Sequence, residues 1–467
     1  MRRTDPSAVA GAMPACAPAE LPRRLGSRIR RALQQTGTNR IVQLRCPIAP
    51  VDLLSWLAAQ SMAFKFYWAD REGNEAVAAV GAVLQCEVNR ALTRESLRFL
   101  ETYLQQADPG VRFYGGGRFD GQAPVAPHWQ PFGMGRFWLP RFELRREGSR
   151  YWLVCNLVPE LDRTAEAAIK EALAALQWPE VAMDARLPLP VDRCDMPDQA
   201  GWTRNVTQAL AAFQQGHMVK VVLARQVQYV FNEALDGLAL LHRLEEATPG
   251  CFHFYYQPQP GTAFLGASPE RLFRRADGHV WSEAVAGTRP RGQTEADDAR
   301  LAAELLQSEK DRREQYYVQQ SIIEELRPLC ETLEADAQLS EMTLARGRHL
   351  YTGIRGRLRP GVSTGALLEA LHPTPAVGGY PRPAAVEAIR AWEPFDRGWY
   401  TGPIGWLGVE AAEFAVAIRC GLAAGHHLYL YSGAGIVEGS VPELEWEEIE
   451  HKISDFVNVL GLELRRS

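Results

Sequence analysis

No apolar run in this sequence approaches the roughly 20 residues that a bilayer-spanning helix requires. A surplus of basic residues is also missing: Lys and Arg total 51 against 56 for Asp and Glu, a formal net charge of −5. That balance excludes the electrostatic footprint of a nucleic-acid binder. Any anionic ligand must then be held by a local pocket and not by the field of the whole molecule. The eight cysteines (Cys16, Cys46, Cys86, Cys155, Cys194, Cys251, Cys330 and Cys420) form no CxxC pair and show no metal-ligand spacing. This usage fits a reduced, cytoplasmic protein. Met1–Arg31 lacks the continuous apolar core of a secretory signal. Its arginines (Arg23, Arg24, Arg28, Arg30 and Arg31) read as a solvated stretch, so residues 1–30 are expected to be a flexible tail. No GxGxxG opens a helix after a strand and no GxxxxGK[ST] occurs, which leaves dinucleotide and P-loop folds without support.

What is present is enough for a large core: 467 residues, 46% hydrophobic, with 12 Trp. Residues 31–198 form the N-terminal part. Strand-like runs such as IVQLRCP, FKFYWADRE and FWLPRFELRREGSRYWLVCNLV alternate there with one clear helix, TRESLRFLETYLQQ, which Thr93 is placed to cap. Short turns such as REGSR join neighbouring strands without a helical crossover and so favour antiparallel sheet. The Gly115–Gly117 triplet predicts a turn or bulge, and no catalytic constellation stands out in this part. The Pro-rich segment 187–197 is the best candidate boundary. Beyond it, strands (KVVLARQVQYVF at 220–231, CFHFYYQ, HLYTGIRGRL, YTGPIGWLG, EFAVAIRCGL, HHLYLYSGAG) and helices come in clusters. That pattern predicts an α+β class with mainly antiparallel sheet, not a doubly wound fold.

Two stretches concentrate charge. In SGAGIVEGSVPELEWEEIEHK (432–452), Gly433, Gly435 and Gly439 lie within eight residues, a density that lets backbone N–H groups turn toward an anion. The helix that follows Pro442 puts Glu445, Glu448 and Lys452 on one face, with Trp446 and Ile449 elsewhere. Alone, this face reads first as that of a solvated helix. A second stretch, SEKDRREQYYVQQSIIEEL (308–326), changes the balance. It places Asp311 and Glu314 on one face of another helix, beside Lys310, above an apolar stripe of Ile322, Ile323 and Leu326. Two acidic faces far apart in sequence can hold one Mg²⁺ between them, because that ion takes only one or two protein carboxylates.

KVVLAR, FLGASPERL, EAVAGT, SEKDRREQ, HPTPAVGGYPR, WYTGPIGWL, AIRCGL and GAGIVEGSVPELEWEEIEHK occur in this order. Together they resemble the chorismate-utilising enzymes: isochorismate, anthranilate (component I), salicylate and aminodeoxychorismate synthases. The likeness covers about 200–460, so residues 199–462 are read as the chorismate-binding catalytic region. The wording is nearest to isochorismate synthases of the menaquinone or siderophore type. The resemblance implies two stacked, mainly antiparallel sheets flanked by helices, a central active site, and Mg²⁺ on Glu314 and Glu448, with Asp311 and Glu445 one turn behind. It implies that water adds to C2 of chorismate as the C4 hydroxyl leaves. Lys220 would be the base and Glu283 of EAVAGT the acid, both facing one cavity. Ala286, Gly287 and Thr288 would pack near the ring, and His372 of HPTP beside it. Arg419 lies in an apolar run, and a buried arginine needs an anionic partner. A bidentate grip on a substrate carboxylate, with Tyr400 alongside, suits it. Gly433 and Gly435 would offer backbone N–H groups and Lys452 would assist near the metal. Within the family, Ala286 stands where aminodeoxychorismate synthases carry a lysine nucleophile, and Lys220 where anthranilate synthases usually carry glutamine. Isochorismate synthase is therefore the expectation. A salicylate synthase, an anthranilate synthase component I and a non-catalytic homologue are the alternatives. A monomer is the expected state.

Overall fold

The structure, a computed structural model, describes residues 15–34 and 40–463. Its strands join into two curved sheets in which every ladder is antiparallel. The first runs, strand beside strand, through Val42–Ile48, Arg150–Leu157, Gly135–Glu147, Glu75–Val88, Lys65–Ala69, Phe252–Gln259, Thr262–Ser268, Cys420–Ala424, His427–Val437 and Lys220–Phe231. The second starts from the beginning of Gly135–Glu147. It continues through Arg112–Gly117, Pro403–Gly408, Ala412–Val416, Arg271–Ala276, His279–Pro290 and Gly347–Leu358. The long strand Gly135–Glu147 belongs to both and joins them.

The inner faces meet in an aromatic core. Phe66, Phe254, Tyr256 and Phe264 come from the first sheet, and Tyr114, Ile404 and Trp406 from the second. Helices Leu21–Gln34 and Gly237–Ala247 cover the outside of the first sheet. Helices Arg94–Gln105, Glu309–Leu326 and Thr364–Leu371 cover the outside of the second. The fold is therefore α+β with two stacked antiparallel sheets between helical layers. Because each sheet is built from strands of both parts of the chain, joined at Lys65–Ala69 with Phe252–Gln259 in the first and at Arg112–Gly117 with Pro403–Gly408 in the second, residues 31–198 and 199–462 share one framework. Among the described residues no helix is long and apolar enough to cross a membrane.

Local signals hold where the physics is local. The Lys220 strand spans Lys220–Phe231. Thr93 caps Arg94–Gln105, accepting from the Ser96 amide while Ser96 returns the bond.

Three expectations are corrected. The tail predicted over 1–30 ends earlier. Leu21, Leu25 and Ile29 are buried on one stripe of helix Leu21–Gln34, so apolar periodicity outweighs the arginines between them; residues 1–14 lie outside the described residues. The boundary predicted at 187–197 contains the strand Pro190–Met196, paired to the Lys220 strand; its Arg193 makes a bidentate bond to Glu450. Gly115–Gly117 is neither turn nor bulge but part of strand Arg112–Gly117. A Cβ on Gly115 would collide with the Arg136 carbonyl and one on Gly116 with that of Pro403, so glycine is required there by close backbone approach.

Candidate active site

The site forms where the end of the first sheet meets the Glu314 helix (Glu309–Leu326) and the Glu448 helix (Pro442–Lys452). Ser308 caps the former by accepting from the Asp311 amide, and Val318, Ile322 and Leu326 bury its other side. The latter starts on Pro442 and buries Ile449. Trp446 leaves the site, as its spacing predicted, and lies 4.4 Å beneath the Arg225 guanidinium. A single cavity opens between these helices. Ala286, Gly287, Thr288, Asp311, Glu314, Tyr400, Arg419, Gly433, Gly435, Glu448 and Lys452 all line it. Lys220 is not among the lining residues: it is fully buried and reaches the cavity wall through Glu314, whose Oε1 is 2.8 Å from its Nζ. Glu445 stands one turn behind, buried, and accepts from Lys310 Nζ at 2.7 Å.

The glycines of SGAG do not form a turn. Gly433 and Gly435 lie in the strand His427–Val437, opposite Ala224 and Val222. They are needed because a Cβ would strike the Tyr400 hydroxyl at Gly433 and the Glu314 carboxylate at Gly435. The strand thereby lets both side chains lean over its edge. Lys452 Nζ donates to the Gly433 carbonyl (2.9 Å) and pairs with Glu448 (2.7 Å). Arg419 takes a left-handed backbone, φ +49°, and Thr401 beside Tyr400 does too, at +60°. Two such non-glycine residues lining one cavity mark where packing holds the chain in a costly conformation. The Arg419 guanidinium has one carboxylate neighbour, Asp455, at 3.4 Å.

Two expectations fail on geometry. Glu283 does not reach the cavity. Its carboxylate is taken by both Arg71 nitrogens (2.7 and 2.9 Å) and by the Arg271 amide (2.6 Å), and it lines a different cleft, with Trp281 and Tyr351. The carboxyl that does line the cavity is Glu270, of FLGASPERL. It is 5% exposed. Burial, and then the Glu283 charge, push it up to about 8 against the smaller opposing pull of Lys220 and Lys452, so it carries its proton at neutral pH. His372 also lies elsewhere. Its Nε2 faces the Phe119 carbonyl at 3.3 Å, in a cleft beside Arg118.

The histidine at the cavity is His349. Its Nδ1 is 3.0 Å from the Gly287 carbonyl and 3.1 Å from Thr288 Oγ1. A carbonyl only accepts, so Nδ1 carries the hydrogen and Nε2 is a bare acceptor. Burial, and then Arg419, press the imidazole down to about 4, keeping it neutral. Nε2 is buried and has no partner among the described residues.

Lys310 also lines the cavity, although the sequence offers it only as a neighbour of the acidic face. One signal could have found it: the chain has only five lysines, Lys65, Lys170, Lys220, Lys310 and Lys452. Three of the five converge here. Each faces a carboxylate, since Lys220 meets Glu314, Lys310 meets Glu445 and Lys452 meets Glu448, while Asp311 takes Arg289 at 2.8 Å. Such a cavity suits a small, multiply charged acid. Its cations can bind carboxylates, its carboxylates can bind a hard metal ion, and Glu270 and His349 add a proton donor and a proton acceptor.

Fold and site together define an enzyme built to bind a compact polyanion at the seam of two antiparallel sheets. Residues 27–461 match the family described as chorismate binding enzyme, and the chain belongs to it. It is 33% identical to the chloroplastic isochorismate synthase of Catharanthus roseus over 401 residues, 83% of this chain and 68% of that one. It is 31% identical to the isochorismate synthase MenF of Haemophilus influenzae over 442 residues, 94% and 96% of the two chains. The solved structure of MenF, the menaquinone-specific isochorismate synthase of Escherichia coli, superposes with a TM-score of 0.82 at 31% identity, covering 94% of this chain and 99% of that one.

Proposed function

We propose that this chain is an isochorismate synthase, an isomerase that converts chorismate to isochorismate with Mg²⁺ bound. The observation that carries the reading is a buried lysine, Lys220, bonded to the cavity carboxylate Glu314, with a buried glutamate, Glu270, on the wall of the same cavity beside Arg419 and Lys452, in a chain whose relatives bear that name. Arg419 and Lys452 bind the substrate carboxylates, and Tyr400 backs the arginine. His349 Nε2 accepts a hydrogen bond from a substrate hydroxyl, which a neutral, buried imidazole is built to do. Lys220, as the neutral amine left once its extra proton has been released, takes a proton from the water that adds at C2. Glu270 gives its proton to the departing C4 hydroxyl, which leaves as water, so the proton count balances.

Glu314 and Glu448 are the residues that would hold Mg²⁺, with Asp311 and Glu445 supporting them. Among the described residues no group of three or more His, Cys, Asp and Glu could hold a metal. Two cavity-facing carboxylates match an ion that fills its shell with water and ligand oxygens. When bound, the ion neutralises and orients a substrate carboxylate. Incubating the purified protein with chorismate and Mg²⁺ and separating the products tests this reading. Isochorismate alone supports it, salicylate with pyruvate would make the chain a salicylate synthase, and no turnover refutes both.

A further inference from the structure

Glu270 is the group proposed to deliver the proton, yet its own side chain makes no hydrogen bond to protein among the described residues. Its aim therefore depends on its backbone. That backbone is held on every polar group. The Glu270 amide donates to Ser268 Oγ (3.2 Å) and its carbonyl accepts from the Val416 amide (3.1 Å). Ser268 Oγ in turn donates to the Val416 carbonyl at 2.6 Å. On either side, Arg71 Nη1 donates to the Pro269 carbonyl at 2.7 Å, and the Arg271 amide donates to Glu283 Oε1 at 2.6 Å. Arg71 and Glu283 are themselves joined by two hydrogen bonds, 2.7 and 2.9 Å. One ion pair thus grips the residue before Glu270 and the residue after it.

We propose that the Arg71–Glu283 pair is a positioning clamp that holds the Pro269–Glu270–Arg271 segment so that the Glu270 carboxyl faces the cavity. The proposal rests on the functional reading above. It gives a role to a residue of the N-terminal part, where no motif pointed to one, and it explains why EAVAGT carries a glutamate that never meets the cavity. The pair is well suited to the task. Arg71 is 14% exposed in its side chain and Glu283 2%, so water competes little. A planar guanidinium on a carboxylate resists rotation in a way a lysine cannot. Arg71 also lies 5.5 Å from the centre of the Phe252 ring, which fixes its other face.

The test uses the full-length enzyme and the variants Arg71→Met, Arg71→Lys and Glu283→Gln, each checked for a cooperative melt, with kcat and KM measured for chorismate in Mg²⁺. Substrate-binding groups are untouched, so KM should stay within about threefold while kcat falls about tenfold or more in Arg71→Met and Glu283→Gln, since a misplacement of about 1 Å can cost about a hundredfold. Arg71→Lys, which keeps the charge but not the fork, should recover part of kcat. Wild-type kcat in folded Glu283→Gln or Arg71→Met overturns the proposal, and so does a loss confined to KM. Loss of folding in all three would make the pair a support of the fold and overturn it too. Failure of the functional reading looks different, because the unmutated enzyme would then form no isochorismate at all.

Discussion

Replacing Glu270 by Gln should make the protein less active and more stable at once. The folded state holds the Glu270 proton to about pH 8, against an ordinary value of 4.5. Between those values the native state binds a proton that the unfolded chain has released, so stability falls as pH rises through the window. At pH 7 the gap is about 2.5 units, which at about 1.4 kcal/mol each costs the fold about 3 kcal/mol. Glutamine has nearly the same shape and no proton to lose, so Glu270→Gln removes that cost. Chemical denaturation should show the variant gaining up to about 3 kcal/mol at pH 7 and almost nothing at pH 4. Turnover should move the other way. Loss of a general acid is worth about 10²- to 10⁴-fold in kcat, with KM little changed. In the unmutated enzyme kcat should decline as pH climbs through about 8, and in the variant the residual rate should lose that limb. A variant with unchanged kcat, or one whose stability gain is the same at pH 4 and pH 7, would refute the assignment.

Lys220→Ala should abolish isochorismate formation while chorismate still binds, as read by competition or calorimetry; near-normal turnover would remove Lys220 from the mechanism. Arg419→Lys keeps a charge but loses the fork, and a charged hydrogen bond of about 2 kcal/mol predicts a KM higher by about 30-fold, with a smaller effect on kcat. Chelation of divalent ions should stop turnover and added Mg²⁺ restore it, while unchanged activity in a chelator would remove the metal from the proposal.

How much of this was legible in the sequence follows from how local each signal is. The Lys220 strand, the Thr93 cap and the two acidic helices are set by residues within a few positions of one another, and they were readable. Arg419 was readable because charge in an apolar run demands a partner. Glu270 and Glu283 were not separable, since both are acids in strand-rich motifs. Only the pairing of Arg271–Ala276 with His279–Pro290 and the arrival of Arg71 from two hundred residues upstream decide which one is covered. His372 and His349 pose the same problem, and burial by Phe119 on one side and by Gly287 on the other answers it. The boundary at 187–197 misled because proline is also at home in edge strands, where one side of the ladder is free.

The scarcity of amines has a practical side. Outside the cavity, the described chain offers only Lys65, which is buried, and Lys170, which is tied to Glu166. Occupancy of the cavity could be followed as protection of Lys310 and Lys452 from an amine-selective acylating reagent, read residue by residue by peptide mass with Lys170 as the internal reference. The same scarcity cautions against attaching this protein to a solid support through its amines, since the coupling chemistry and the chemistry of the cavity would compete for the same few nitrogens.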